Sequence, residues 1–217
     1  MSLNSNREVI CPNCLIKSTT KLWDSINVTI DEKAKERVLD NIFFKFTCPI
    51  CGHVSTVEYD CLYHDMNKRE MIYLIANYSR DNDELVKELE ALSEEVLPQF
   101  GDKYKLRIVT SNSDLIEKIK IFDCNLDDRV IEICKLYYIS NLVDINLDIS
   151  FKKIYFDYDI TKDSMFFTFT DDKGEALSYN LDMKIYNFIR DKYLNVIEEK
   201  EYKSFQIIDR QWAIEIS

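Results

Sequence analysis

The spacing of apolar residues along this chain changes character from one third to the next. Through residues 9–59 they come in short β-branched and aromatic clusters. These are Val9-Ile10, the Thr-, Val- and Ile-rich stretch 17–29 with Trp23, the group Phe43, Phe44 and Phe46, and the run 54–59. Such clusters read as strands. They predict two hairpins, one rising through Val9-Ile10 and returning through 19–22, the other rising through 43–46 and returning through 54–59. Between them, residues 31–40 read as a short helix with Asp31 as its cap and Ala34, Val38 and Leu39 on its apolar side.

The middle of the chain turns helical in period. Residues 71–76 are an unbroken apolar run and predict a buried strand. Leu85, Leu89, Leu92 and Val96 recur every three or four residues, which predicts a helix opening at Asp81, running to about Leu97 and ended by Pro98 and Gly101. Residues 105–110 read as a short strand. Ser111-Asn112-Ser113-Asp114 resembles a capping box that sets Leu115, Ile119 and Phe122 on one helix face. A further helix over 126–142 is expected to bury Val130, Ile133, Cys134, Tyr137 and Tyr138.

The final third alternates. Ile154, Phe156, Tyr158 and Ile160 are interleaved with polar residues, as are Met165, Phe167 and Phe169, so each set predicts a strand with one buried face. Turns are expected at Thr161-Lys162-Asp163 and Asp171-Asp172-Lys173-Gly174, with a third arm through Leu177 and Tyr179. A helix over 181–199 carries Met183, Tyr186, Ile189, Tyr193 and Ile197, and a last strand is expected over 205–216. The whole reads as α+β: an N-terminal part whose two hairpin tips carry Cys11-x2-Cys14 and Cys48-x2-Cys51, a zinc-ribbon-like layout with an inserted helix, then helices and an antiparallel sheet packed on a helix. The expected division is 1–100 and 101–217, with its boundary near 98–103.

Composition narrows the setting. At 217 residues, 46% apolar and 31% charged, the chain has the make-up of a folded globular protein. The net charge of −11 is shared, with 11 basic and 17 acidic side chains in residues 1–100 and 17 and 22 in the remainder. Such a field opposes phosphate backbones unless a local basic patch overrides it. The polar start carries no apolar leader, and the longest apolar run has six residues, so neither a signal peptide nor a membrane span is expected. Seven cysteines, an odd number, suit a reducing cytoplasm better than a disulfide framework.

The chemistry is concentrated in two hooks, Cys11-Pro12-Asn13-Cys14 and Cys48-Pro49-Ile50-Cys51. Two C-x2-C turns deliver four thiolates, the donor set of a tetrahedral metal. Zn²⁺ is the expected ion, with a rubredoxin-type iron site as the alternative. The residue after each hook is expected to need a positive φ. Gly52 meets that need without cost, whereas Leu15 would meet it with strain of about 1–2 kcal/mol, so either the first hook turns differently or metal bonds worth roughly 10 kcal/mol or more outweigh the strain. A second ligand set, Cys48, Cys51, Cys61 and His64, would strand the first hook. Cys61, Cys124 and Cys134 read instead as small buried residues. His64-Asp65 is the only adjacent histidine–carboxylate pair. It reads either as a general base with its orienting acid or as a turn whose aspartate caps backbone amides. The three isolated glycines exclude a Walker loop and a dinucleotide fingerprint, and neither H-E-x-x-H nor G-x-S-x-G occurs.

The two C-P-x-C hooks, together with Leu22-Trp23-Asp24-Ser25-Ile26-Asn27-Val28, Leu62-Tyr63-His64-Asp65-Met66, Arg107-Ile108-Val109 and Asp127-Asp128-Arg129-Val130-Ile131-Glu132, resemble the CpXC domain family of bacterial and archaeal proteins. The likeness spans about residues 9–140. It implies that Cys11, Cys14, Cys48 and Cys51 are the shared feature, and it implies no activity, since the family is functionally uncharacterised. Cys61 stands where similar proteins tend to have proline, and Leu15 departs from the expected glycine. The expected function is therefore a non-catalytic, zinc-stapled module that meets a protein partner or a second copy of itself. The alternatives are a zinc-dependent or redox enzyme using His64 and Asp65, and a nucleic-acid-binding zinc ribbon, which the charge balance opposes.

Overall fold

The computed structural model describes residues 2–79, 83–100, 104–144, 151–171, 176–199 and 204–217. The chain falls into two compact units, Met1–Ile116 with Lys203–Gln206, and Glu117–Tyr202 with Ile207–Ser217. The seam between them lies inside a helix.

The first unit is built on a mixed five-stranded sheet. Its strands are β1 (Leu3–Ile10), β2 (Lys17–Asn27), β5 (Cys61–Asp65), β6 (Glu70–Leu74) and β7 (Lys105–Val109), in the order β1-β2-β5-β6-β7. β1/β2 and β5/β6 are antiparallel hairpins, while β2/β5 and β6/β7 run parallel. The long crossover from β2 to β5 holds helix α1 (Glu32–Leu39), a 3-10 turn (Ile42–Phe44) and a small hairpin of β3 (Lys45–Thr47) and β4 (Val54–Thr56). As expected, Asp31 caps α1 by accepting from the Lys33 amide, and Ala34 and Val38 are buried. The sheet's inner residues Ile26, Tyr63, Ile72 and Leu74 form the core with Phe44 and Val38.

Helix α2 (Asp83–Phe100) runs through Pro98 and does not end there. The expected opening at Asp81 and stop at Gly101 lie outside the described residues, and of the four spaced apolar residues Leu89 is described as buried. Phe205 donates its amide to Ser93 Oγ of α2 (2.9 Å), and Gln206 bridges Arg107 of β7.

Helix α3 (Asn112–Asp123) starts as the capping pattern predicts, with the Asp114 amide donating to Ser111 Oγ at 3.2 Å. In the second unit, α4 (Asp128–Asp144) buries Val130, Ile133 and Cys134, but Tyr137 is exposed and not part of the core. An antiparallel sheet of β8 (Phe151–Asp159), β9 (Ser164–Asp171) and β10 (Ala176–Asn180) follows, in the order β10-β9-β8. Phe156, Phe167 and Phe169 are its buried residues, and Phe167 meets Tyr138 of α4 edge-on at 5.2 Å between ring centroids. Ile160 lies in the exposed turn beyond β8, and part of the expected turn 171–174 falls outside the described residues. Helix α5 (Met183–Glu199) buries Tyr186, Ile189 and Ile197.

The expected last strand is corrected. Residues Arg210–Ile216 form helix α6, capped by Asp209, which accepts from the Trp212 amide. Within the helix, buried Ala213 and Ile216 recur at a three-residue spacing, and Asp209 just ahead of it supplies the start signal.

Candidate metal centre

Each hook is the tip of a hairpin. The first joins β1 to β2, whose register pairs Ile10 with Lys17, and the second joins β3 to β4, whose register pairs Thr47 with Val54. The second hairpin is held by Tyr59, whose hydroxyl donates to the Phe43 carbonyl at 2.8 Å, and by the Val57 amide, which donates to the Phe44 carbonyl at 2.8 Å. Trp23 of β2 stacks edge-on against Phe43 with centroids 5.2 Å apart, which ties the two hairpins' bases together.

The two turns repeat one another bond for bond. The Leu15 amide donates to the Cys11 carbonyl and the Gly52 amide to the Cys48 carbonyl, both at 2.9 Å. The Cys11 amide donates to the Ile16 carbonyl (3.1 Å) and the Cys48 amide to the His53 carbonyl (2.9 Å). The residue after each second cysteine is left-handed, with φ of 59° at Leu15 and 72° at Gly52. The proline of each hook stands where a preset φ helps the turn and no amide is needed.

This equivalence brings four sulfurs together. Cys11 Sγ lies 3.6 Å from Cys51 Sγ and Cys14 Sγ 3.7 Å from Cys48 Sγ, and all four lie within 4.8 Å of one another. A tetrahedral site with metal–sulfur bonds of about 2.3 Å has edges of about 3.8 Å, so the cluster fits a single ion. The contacts are far longer than a disulfide of about 2.05 Å, and all seven cysteines are free. Cys11 and Cys48 are buried, Cys14 is half-buried and Cys51 is exposed.

The backbone supplies part of the charge that thiolates need. The His53 amide, then the Asn13 side chain, lower the Cys51 thiol to about 6, and Asn13 Nδ2 donates to its sulfur at 3.6 Å. The Cys51 amide likewise lowers Cys48, against the effect of burial. At Cys14 the Ile16 amide acts in the same sense, but desolvation and the neighbouring sulfurs of Cys51, Cys11 and Cys48 outweigh it and push the thiol up to about 12. Four anionic sulfurs at this separation call for a cation, and a divalent metal would let all four ionise. Asn13 is the contributor that motif reading overlooks, because the variable position of C-P-x-C carries no general signal.

Among the described residues these four cysteines are the only set of His, Cys, Asp or Glu groups close enough to share a metal. The alternative set is not assembled. Cys61 is fully buried in β5, and burial drives its thiol up to about 12. His64 turns its Nε2 to the Tyr104 hydroxyl at 3.1 Å, and burial lowers its basicity.

His64 and Asp65 are neighbours on β5, so their side chains leave the strand on opposite faces. Asp65 Oδ1 accepts from the Asn67 and Lys68 amides at 3.0 and 3.1 Å, the turn-capping role. His53 is exposed just past the second hook. Among the described residues no helix is long and apolar enough to cross a membrane.

The family model of the CpXC protein matches residues 9–135, more than half of the chain, from just before the first hook into α4. No curated protein and no solved structure matches the chain.

Proposed function

The chain belongs to the CpXC family, and from that premise we propose that it is a non-catalytic cytoplasmic module, a zinc-ribbon-like subdomain stapled by one structural Zn²⁺ and presenting a surface to a protein partner. One observation carries this reading. The sulfurs of Cys11, Cys14, Cys48 and Cys51 lie within 4.8 Å of one another at two matched hairpin tips, and four thiolates on one ion would leave no corner for water or substrate. Closed thiolate sites of this kind stabilise folds, whereas catalytic zinc keeps a position open. The seven unbridged cysteines support a reducing compartment.

Elemental analysis of the purified full chain tests the proposal. It should return about one zinc per chain in a colourless protein, falling towards zero in Cys48→Ser and Cys51→Ser. A coloured protein with one iron would replace the ion. A metal-free chain with four reactive hook thiols and an undiminished fold would end the structural reading.

A further inference from the structure

The hook tips carry apolar side chains that the fold does not use. Ile10, Leu15, Ile16, Ile50 and Val54 are all exposed, Leu15 at 75% and Ile50 at 64% of its surface. Each lies within three residues of a hook cysteine, and the four thiols converge within 4.8 Å, so all five are carried at the two converging tips. Leu15 is the informative member. It takes a left-handed φ that glycine adopts freely at the equivalent position, and it gains almost no burial in return. A strained residue whose side chain does nothing for packing points to a use outside the fold.

Charge says what that use is. The two tip segments, residues 10–21 and 45–57, contain Lys17, Lys21 and Lys45 and no acidic residue of their own, and of the three Lys17 is paired with Glu8 of β1 at 3.3 Å. All three lysines stand at exposed strand positions, on the same faces as Ile10 and Val54. Phe46 is buried and His53 is the one exposed ring in the two segments, so the tips offer no row of rings on which successive nucleic-acid bases could stack. The aliphatic area and the lysine rim complement an apolar anchor flanked by carboxylates.

We propose that the hook tips are a docking surface for an acidic peptide segment of a partner protein, with an aliphatic or aromatic anchor seated against Leu15 and Ile50 and acidic flanks facing Lys21 and Lys45. This rests on the reading of the chain as a metal-stapled interaction module and names its partner chemistry.

A displayed library of short random peptides, selected on the zinc-loaded full chain, tests it. Enriched sequences should combine apolar anchors with Asp or Glu. A synthetic enriched peptide should bind about tenfold more weakly to the Leu15→Asn/Ile50→Ser variant, and severalfold more weakly to Lys21→Glu/Lys45→Glu, with affinity falling as salt rises. All four sites are exposed, so zinc content and circular dichroism should stay unchanged in both variants, and Asn tolerates the left-handed φ.

No enrichment, enriched peptides without acidic residues, or equal binding to the variants would overturn the proposal. So would tighter tip-dependent binding of a single-stranded oligonucleotide or of phosphatidylserine vesicles. A chain that holds its zinc but selects no such peptide loses the docking surface and keeps the metal module. A chain that selects the peptide without metal loses the zinc and keeps the surface.

Discussion

Leu15 and Gly52 occupy the same position in two copies of one turn, with φ of 59° and 72° and the same 2.9 Å hydrogen bond from each amide to the carbonyl of the hook's first cysteine. Only the cost differs. A leucine there carries about 1–2 kcal/mol of steric strain, against which a glycine loses roughly 0.5–1 kcal/mol more chain entropy on folding. Because Leu15 is largely exposed, replacing it forfeits little burial. Leu15→Gly is therefore expected to stabilise the zinc-loaded protein by up to ~1 kcal/mol in urea unfolding. Gly52→Ala should cost ~1 kcal/mol through the backbone alone, since a Cβ there meets no atom within 4 Å. Equal effects of opposite expectation, with Leu15→Gly destabilising, would mean that the side chain packs in solution.

Metal removal should act on one unit more than the other. The four ligands all belong to the unit containing residues 1–116, and structural zinc contributes roughly 10 kcal/mol or more of folding free energy. Chelation, or Cys48→Ser, should raise hydrogen exchange across residues 9–60 well before exchange rises in α4 and α5. Loss of protection to the same extent in both units would contradict two separable cores.

How much of this is readable in a sequence depends on how local the determinant is. The hooks are legible because C-P-x-C encodes its own turn, and the strands beside them because short β-branched clusters have few other uses. The strain at Leu15 follows from Gly52 by analogy between the hooks. Helix α6 is obscured by Gln206 and Ile208, which bridge to or pack near other elements before the helix begins, so that 205–216 mimics one extended segment. Least legible are the charges. Lys118 and Lys120 look alike in sequence, yet Lys118 is buried while Lys120 pairs with Asp157 at the surface. Glu70 likewise looks like a solvated turn residue, and only the strand register places it opposite buried Asp65. The partners of Lys118 and Lys120 lie on other elements, as far along the chain as Asp157 and Ile208, and no short window of sequence contains them.

Glu70 gives the fold a pH dependence. It is almost wholly buried, and its Oε2 has no hydrogen-bond partner among the described residues, while Oε1 reaches Lys105 only at 3.5 Å. Burial pushes its acid up to about 7, opposed by Lys105 and Lys68 and assisted by Asp65 across the hairpin. The folded state therefore holds this proton more tightly than the unfolded chain, whose glutamate ionises near its ordinary value. The stabilising contribution is complete below about pH 4.5 and is lost as pH rises to about 7, a change of order 3 kcal/mol. Glu70→Gln should flatten that slope, so denaturant unfolding at pH 5 and pH 8 should differ less in the variant than in the parent. An unchanged difference would remove Glu70 as its source.

Lys118 is the central charge of a buried cluster in the second unit. Its ammonium donates to the Ile208 carbonyl at 2.6 Å and lies 3.1 Å from Asp128 and 3.4 Å from Glu132. Lys135 bridges Glu132 and Glu117, both at 2.8 Å, and Glu117 also accepts from the Phe156 amide. Burial alone would lower Lys135, but Glu117 and Glu132 hold it above its ordinary value, whereas burial raises Glu117. Three carboxylates thus share two ammonium groups, and removing either lysine leaves three acids to one cation in a buried cluster. Lys118→Met is expected to cost about 3–5 kcal/mol at neutral pH, the scale for breaking one side of a buried ion pair. Adding Glu132→Gln should recover part of that loss, since one uncompensated charge goes with it. The deficit of the single variant should also shrink towards pH 5, where the released carboxylates can take up protons. Denaturant titrations of the two variants at both pH values measure these differences. A Lys118→Met protein as stable as its parent at pH 8 would show that the cluster's charges are already neutralised within the fold.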